Sequence, residues 1–244
     1  MSEKFKYLNL VEKIRSKDKA YLSDPRNLEK ELLLELGLND EFVKEYPSHL
    51  RKYCGKGLKS WQYPNQFSKY LVHLSKYKIE SYLELGVRHG GTFIITVEYL
   101  NKFHPIKRAL GIDVNDCPVI SEYSKFCNPA ADFWKVNTKS LKFDGFSNHC
   151  NGIDLTLIDA DHAFSAVEHD LENVQKMSRM IALHDISNDA CVGVKKVWGE
   201  MQNDKNRYDF CEFIEQYHEF KKSKKSFFGI GVAGDKVLPL EKNE

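Results

Sequence analysis

The sequence predicts an α/β fold: a mostly parallel open sheet with one antiparallel strand near its edge, preceded by a helical N-terminal region. Three observations predict it. Short apolar runs recur between residues 81 and 184, and several end on a carboxylate or an imidazole. Segments with the 3.6-residue periodicity of amphipathic helices lie between them. The last two apolar runs, YDFCEFIEQY and SFFGIGVAG, have only HEFKKSKK between them, too short for a helical crossover, so they should pair antiparallel.

The elements follow in order. Residues 1–78 are helical in character: LNLVEKIRSK, then NLEKELLLELG with Gly37 as its stop, then NQFSKYLVHLSKY, with Pro47 and Pro64 as interruptions. No strand pattern occurs there, so 1–78 reads as a helical cap or lid on a core at 79–244. That core alternates: strand 81–86, helix 91–103, strand 108–113, helix 118–127 and strand 132–136. It continues with strand 153–158, helix 163–178, strand 180–184 and helix 191–203, and closes with the antiparallel pair. Uninterrupted apolar runs suit parallel strands buried on both faces. The lysines of KKSKK read as a solvated hairpin or loop. The chain has no internal repeat and no low-complexity segment.

Chemistry concentrates at the strand ends. YLELGVRHGGTF ends an apolar run on Glu84, breaks at Gly86 and opens a helix at Gly90, Gly91 and Thr92; LGIDV then ends a second run on Asp113. Glycines let backbone approach a ligand where a Cβ would collide. The helix start offers unpaired N–H groups, and the second strand's acid can accept both hydroxyls of a ribose. The unit implies a nucleoside-containing cofactor, with a tight βα turn and a solvent-facing acid as the plainer alternative. The dinucleotide fingerprint G-x-G-x-x-G is not met, because Arg88 stands where the second glycine admits a pyrophosphate.

The stretch resembles motif I of the class I S-adenosylmethionine (SAM)-dependent methyltransferases, whose hydrophobic–acid–x–Gly pattern fits E-L-G here. IDADHAFSAVEHDLENV followed by IALHD, with the lead-in WQYPNQFSKYLVHL, is similar to a subgroup of small-molecule and sugar O-methyltransferases. That subgroup includes cephalosporin-hydroxylase-like and macrolide-sugar enzymes, and the resemblance spans residues 57–198. It implies a Rossmann-like, seven-stranded methyltransferase sheet and SAM as cofactor. It also implies that the loop with Glu84, Gly86, Gly90, Gly91 and Thr92 cradles the methionine part of SAM, while Asp113 holds the ribose. Asn137 and Thr138 would meet the adenine, and Gln62, Tyr63 and Gln66 would close over the cofactor. A plain turn is the alternative for Asn137–Thr138, and packing of cap onto core is the alternative for Trp61 and Tyr63.

Methyl transfer to a hydroxyl needs positioning and a base, a cation that stabilises the alkoxide, or both. Asp159 ends one strand and His184–Asp185 end the next, so these side chains can converge above the sheet edge. The resemblance implies that, as in the metal-dependent members of the subgroup, acids at these three positions bind Mg²⁺, and His184 departs from that pattern. Magnesium prefers oxygen ligands, whereas an Asp159/His184/Asp185 set suits Mn²⁺, Fe²⁺ or Zn²⁺ at least as well. Capping of strand and loop is the alternative for His184 and Asp185. Asp161 and His162, directly after Asp159, are the candidates for the base. An imidazole with a pKa of about 6.5 takes a proton at neutral pH. Asp161 could orient it, act itself as the resemblance implies, or N-cap the next helix.

The 36 basic and 35 acidic residues leave a formal net charge of +1, so no global field recruits nucleic acid or an anionic membrane. No apolar stretch approaches the roughly 20 residues of a membrane span, and MSEKFKYLNLVEKI has no apolar signal core. Cys54, Cys117, Cys127, Cys150, Cys191 and Cys211 show no CxxC pairing, as expected of reduced thiols in a cytoplasmic protein. The acceptor pocket is expected between Lys56, Lys59, Trp61 and Gln62 on one side and Ser187, Asn188 and Asp189 on the other. Its polar character points to O-methylation of a sugar, in a nucleotide sugar, polysaccharide precursor or glycosylated natural product. The competing readings are a metal-dependent oxidoreductase on the same fold and a non-catalytic SAM-binding scaffold. Homo-oligomerisation stays open.

Overall fold

The apolar runs form strands β1 (Ser81–Leu85), β2 (Arg108–Asp113), β3 (Ala131–Lys135), β4 (Ile153–Ile158), β5 (Ser178–His184), β6 (Tyr208–Phe213) and β7 (Ile230–Asp235). They make one sheet in the order β3-β2-β1-β4-β5-β7-β6. The first five are parallel, and β7 alone runs against both its neighbours. The computed structural model describes residues 4–141 and 152–243, so Cys150 lies outside the described residues. The other five cysteines are free. Among the described residues no helix is long and apolar enough to cross a membrane.

The principal helices are α1 (Leu8–Arg15), α2 (Pro64–Leu74), α3 (Gly91–Asn101), α4 (Pro118–Phe126), α5 (Phe164–Val174), α6 (Val192–Met201) and α7 (His218–Ser223). Alternation along the strands sends side chains to two apolar layers. Tyr82 of β1 joins a cluster with Ile14 of α1, Leu71 of α2 and Ile94 of α3. Leu83 and Leu85 join the opposite one, with Val167 of α5 and Val197 of α6. The N-terminal residues therefore share a core with the sheet. Every residue of α3 from Gly91 to Leu100 is buried, because α1 and α2 cover the side that would otherwise face water.

A buried acid ties that cover down. Glu98 of α3 accepts two bonds from Arg15 of α1, at 2.8 and 2.7 Å, and a third from the Tyr123 hydroxyl of α4 at 2.6 Å. Arg15 also reaches the Cys127 carbonyl at 3.0 Å.

Four local details differ from the sequence pattern. NLEKELLLELG is not one α-helix: a π turn at Leu28–Leu32 runs into Leu33–Leu36, and Gly37 ends it at φ 92°. Isolated bridges pair Leu38 with Cys54 and Ser60, where no strand pattern exists. β5 begins at Ser178, two residues early, because the Ser178 hydroxyl lies 2.6 Å from Thr156 Oγ1 on β4 and extends the ladder. KKSKK is solvated as expected and Lys224 and Lys225 lie in a loop, but its first three residues end α7, because Phe220 is buried against Tyr63 and Phe227.

Candidate functional site

The order of strands reverses between β1 and β4, the switch point at which open α/β sheets bind ligands. A cavity of about 510 Å³ opens there, over the C-terminal ends of β1, β2, β4 and β5. Residues of the irregular 38–61 segment, among them Asn39, Glu45, Lys59 and Trp61, line its other side.

The β1–α3 loop is shaped by two close approaches. Gly86 has φ 88°, and a Cβ there would stand 2.1 Å from the carbonyl oxygen of Asp159. A Cβ on Gly91 would stand 2.1 Å from the carbonyl oxygen of Leu58. The first lets the loop lie against the tip of β4; the second lets the N-terminal segment cross the start of α3. Glu41 fastens that crossing: its oxygens accept from Arg88 at 3.0 and 2.9 Å, and one lies 2.7 Å from His89 Nε2.

At the end of β1, Glu84 is buried and accepts the Tyr82 hydroxyl at 2.5 Å. Burial holds its carboxyl well above the usual range against that bond, and the charges of Asp159 and Asp113 add to the rise. Asp113 at the tip of β2 accepts the backbone N–H of Arg88 at 2.9 Å on one oxygen and that of Asn115 at 2.8 Å on the other. It thus fixes Arg88 at φ 46° and keeps free lone pairs on the cavity wall. Thr92 lies on the wall with its hydroxyl 3.4 Å from that of Ser60. Asn137 and Thr138 line the cavity beyond Asp113, where Asn137 Oδ1 accepts the Lys139 N–H at 3.0 Å. Gly90 starts α3 in the left-handed conformation. Gln62 is buried behind the lining, and neither polar atom of its amide has a hydrogen-bond partner among the described residues. Tyr63 packs among Tyr46, Tyr217 and Phe228, while Gln66 bonds the Gly229 N–H and the Glu215 carbonyl.

At the other end, Asp159, His162, His184 and Asp185 converge. His184 Nδ1 lies 2.9 Å from Asp159 Oδ1 and 3.7 Å from Asp185 Oδ2. His162 Nε2 lies 3.6 Å from Asp159 Oδ1 and 3.4 Å from Asp185 Oδ2. Asp185 sits at φ 63°, a strained conformation for a residue with a side chain. Asn188 donates to its Oδ1 at 2.9 Å. Burial pushes the His184 imidazole down, but the charges of Asp159 and Asp185 overcome this and lift it to about 9. Contact with Asp159, then with Cys191, lifts His162 to about 10 against burial. Burial pushes the Asp159 carboxyl up, and the two imidazoles outweigh it, leaving the group below its ordinary value.

Asp161 stands apart from this cluster. One oxygen pairs with Lys139 at 2.6 Å and the other accepts the Ala163 N–H at 2.9 Å, so it bonds the turn that leads into α5. Lys59, Trp61 and Asn188 line the cavity, whereas Lys56, Ser187 and Asp189 do not.

Two wall residues carry no sequence signal. Glu45 comes from an irregular stretch without periodicity; burial and the charge of Asp185 push its carboxyl up to about 7, while His184 opposes them. Cys191, just before α6, places Sγ 3.3 Å from His162 Nδ1 and 3.4 Å from Asp185 Oδ2.

No protein-family model and no curated protein matches the chain. Solved structures do. The O-methyltransferase TomG from Streptomyces achromogenes, involved in tomaymycin synthesis and solved with SAM, superposes at TM-score 0.53 with 14% identity, over 85% of this chain and 95% of that one. A candidate O-methyltransferase from Klebsiella pneumoniae gives TM-score 0.52 and 16% identity, over 85% and 95%. A candidate rRNA methylase from Clostridium thermocellum gives 0.51 and 10%, over 70% of this chain and 96% of that one. The same sheet therefore serves proteins named for quite different acceptors. The likeness is one of architecture, and by it this chain has the fold of the SAM-dependent methyltransferases.

Proposed function

We propose that the chain is a SAM-dependent O-methyltransferase acting on a hydroxyl of a sugar-type small molecule. One observation carries the reading: a single cavity runs from the glycine loop and Asp113 to the Asp159/His184/Asp185 cluster. Its first end suits a nucleoside with an amino-acid tail. Its second end suits an acceptor hydroxyl that must lose a proton.

In this reading Asp113 accepts the ribose hydroxyls, and Asn137 and Thr138 flank the adenine. The Gly86–Gly91 loop holds the methionine part. Gln62 supports the segment that covers it. The acceptor oxygen attacks the sulfonium methyl in line; the C–O bond forms as the C–S bond breaks, and sulfur keeps the electron pair. The hydroxyl proton passes to Glu45, whose carboxyl near 7 is matched to that task at neutral pH. His162, held cationic by Asp159, places positive charge beside the developing alkoxide, while Asp161 holds the turn after β4 against Lys139.

The ligand atoms of Asp159, His184 and Asp185 lie within 4.8 Å of one another. One imidazole and two carboxylates fit a divalent ion such as Mn²⁺ better than an all-oxygen Mg²⁺ shell. Such an ion would supply positive charge for the acceptor oxygen.

The sugar-type acceptor rests on the lining. Asn39, Lys59 and Asn188 offer polar partners, and Trp61, stacked on Phe42 at a centroid distance of 5.6 Å, offers an aromatic face. The resemblance to sugar O-methyltransferases points the same way. The test is incubation with SAM and a panel of nucleotide sugars, free glycosides and catechols, read by mass spectrometry. Methylated glycosides or nucleotide sugars are expected. Methylation of phenols alone would defeat the sugar reading, and no methyl transfer to any member would defeat the enzymatic one.

A further inference from the structure

We infer that a second cavity, beside the first, receives the carrier of the acceptor sugar, and that this carrier is a nucleoside diphosphate. This rests on the methyltransferase reading above and narrows its acceptor to a nucleotide sugar. The second cavity, of about 410 Å³, lies between the irregular 38–61 segment and α7 with the loop that follows it. Phe42 and Glu45 line both cavities, so the wall between them carries the carboxyl assigned to the reacting hydroxyl. An acceptor whose hydroxyl sits at Glu45 can extend away from SAM, across Phe42, into the second space. Each cavity is of the size that holds one small ligand, about 300–1,000 Å³, so with SAM in the first the bulk of a carrier belongs in the second. Phe42 is a large apolar ring left 54% exposed beside Trp61, and a ligand lying over that ridge would cover it.

The lining offers the two chemistries that a nucleoside diphosphate needs. Lys44 from the 38–61 segment and Lys225 after α7 bring positive charge from the two walls. Neither ammonium pairs with an acid among the described residues, whereas Lys221 of the same KKSKK run is taken up by Glu215 at 3.8 Å. Such ammonium groups are ordinary partners of phosphate oxygens. Glu219, on the same lining, is already occupied: it accepts the Ser48 N–H at 2.9 Å and the Ser48 hydroxyl at 3.2 Å, and pairs with Arg51 at 3.6 Å. Phe220 and Phe227 meet edge to face at 4.8 Å, and with Phe42 they supply ring surface on which a base can stack. A neutral glycoside would leave the lysines unused.

The test uses full-length protein saturated with SAH, so that the first cavity is occupied. It is titrated calorimetrically with the diphosphates of uridine, guanosine and thymidine and with inorganic pyrophosphate. At least one nucleotide should bind about tenfold tighter than pyrophosphate, the effect of one stacked base, and its affinity should fall as salt is raised. Lys44→Ala with Lys225→Ala should weaken that nucleotide by about tenfold, the sum of two exposed ion pairs, and Lys44→Arg with Lys225→Arg should restore it. In methyl transfer the alanine pair should lower the kcat/KM ratio of nucleotide sugar to free glycoside by the same factor, through KM. Both lysines are exposed, and thermal unfolding checks that the variants stay folded. Pyrophosphate bound as tightly as every nucleotide would overturn the nucleoside. Nucleotide binding that ignores both lysines, or no nucleotide binding, would overturn the carrier site and leave the sugar reading to stand on free glycosides. Failure of every acceptor to take a methyl group would defeat the methyltransferase reading, while the titration would still decide the site.

Discussion

His184 Nδ1 and Asp159 Oδ1 lie 2.9 Å apart, so the tips of the neighbouring parallel strands β5 and β4 are joined side chain to side chain. Burial alone would neutralise both groups. Their opposite charges instead hold Asp159 below its ordinary value and His184 at about 9. The register that pairs Ile158 with Leu183 is what brings the two residues level. A sheet built on apolar runs thereby delivers a charged pair to one end of a cavity.

Arg15→Ala should destabilise the fold strongly. It leaves the Glu98 carboxylate buried in α3 with the Tyr123 hydroxyl as its one remaining partner among the described residues. Removing one partner of a buried pair costs about 3–5 kcal/mol; Arg15 is itself one-third exposed, so the lower end is expected. Urea unfolding of Arg15→Ala, and of the same variant with Glu98→Gln, measures it. The second change should recover part of the loss, and equal stabilities would show that Glu98 is not the reason.

Asp170 should make stability fall with pH. It is buried on α5, where burial pushes its carboxyl from 3.8 up to about 6 against the Thr138 hydroxyl. The folded state therefore holds the proton more tightly than the unfolded one. No cost arises below about pH 4; the cost grows as pH rises and is complete above about pH 6. A shift of that size corresponds to at most about 3 kcal/mol. Asp170→Asn should gain stability at pH 8 and none at pH 4, as read by thermal unfolding of both proteins. A gain that does not change with pH would contradict the assignment.

The strand tips were legible because each closes an apolar run. Glu84, Asp113, Asp159 and His184 lie where such runs end, and Gly86 breaks the first of them. The roof was not legible. Glu45 reaches the cavity only because Tyr46 and Tyr63 pack with Phe228, and the Tyr63 hydroxyl donates to the Glu45 carbonyl. The two contacts with Phe228 span more than 160 positions of chain and leave no local period to read. Cys191 joins the cluster through the strained turn at Asp185 and its bond with Asn188, which no pattern of residue types announces. The helical period of residues 28–36 was visible, but not the π turn within it.

Glu45→Gln should lower the turnover rate by about 100-fold, the ordinary contribution of a positioned base, with SAH affinity retained. The rate of the unaltered enzyme should rise with pH and level off above about 7, as the Glu45 carboxyl loses its proton. That rising limb should vanish in the variant. An unchanged pH profile in Glu45→Gln would remove Glu45 from the proton path.

The most direct measurement is a calorimetric titration of the protein with SAH and with NAD⁺, repeated on Asp113→Ala. Asp113 stands 2.9 Å from the Arg88 N–H and keeps lone pairs on the cavity wall. Hydrogen bonds to a charged group are worth about 1.5–3 kcal/mol each, so losing one should weaken SAH by about 10- to 150-fold. SAH should bind the unaltered protein, NAD⁺ should not, and Asp113→Ala should show that loss. Absence of SAH binding, or an SAH affinity untouched by Asp113→Ala, would contradict the assignment of this cavity to SAM.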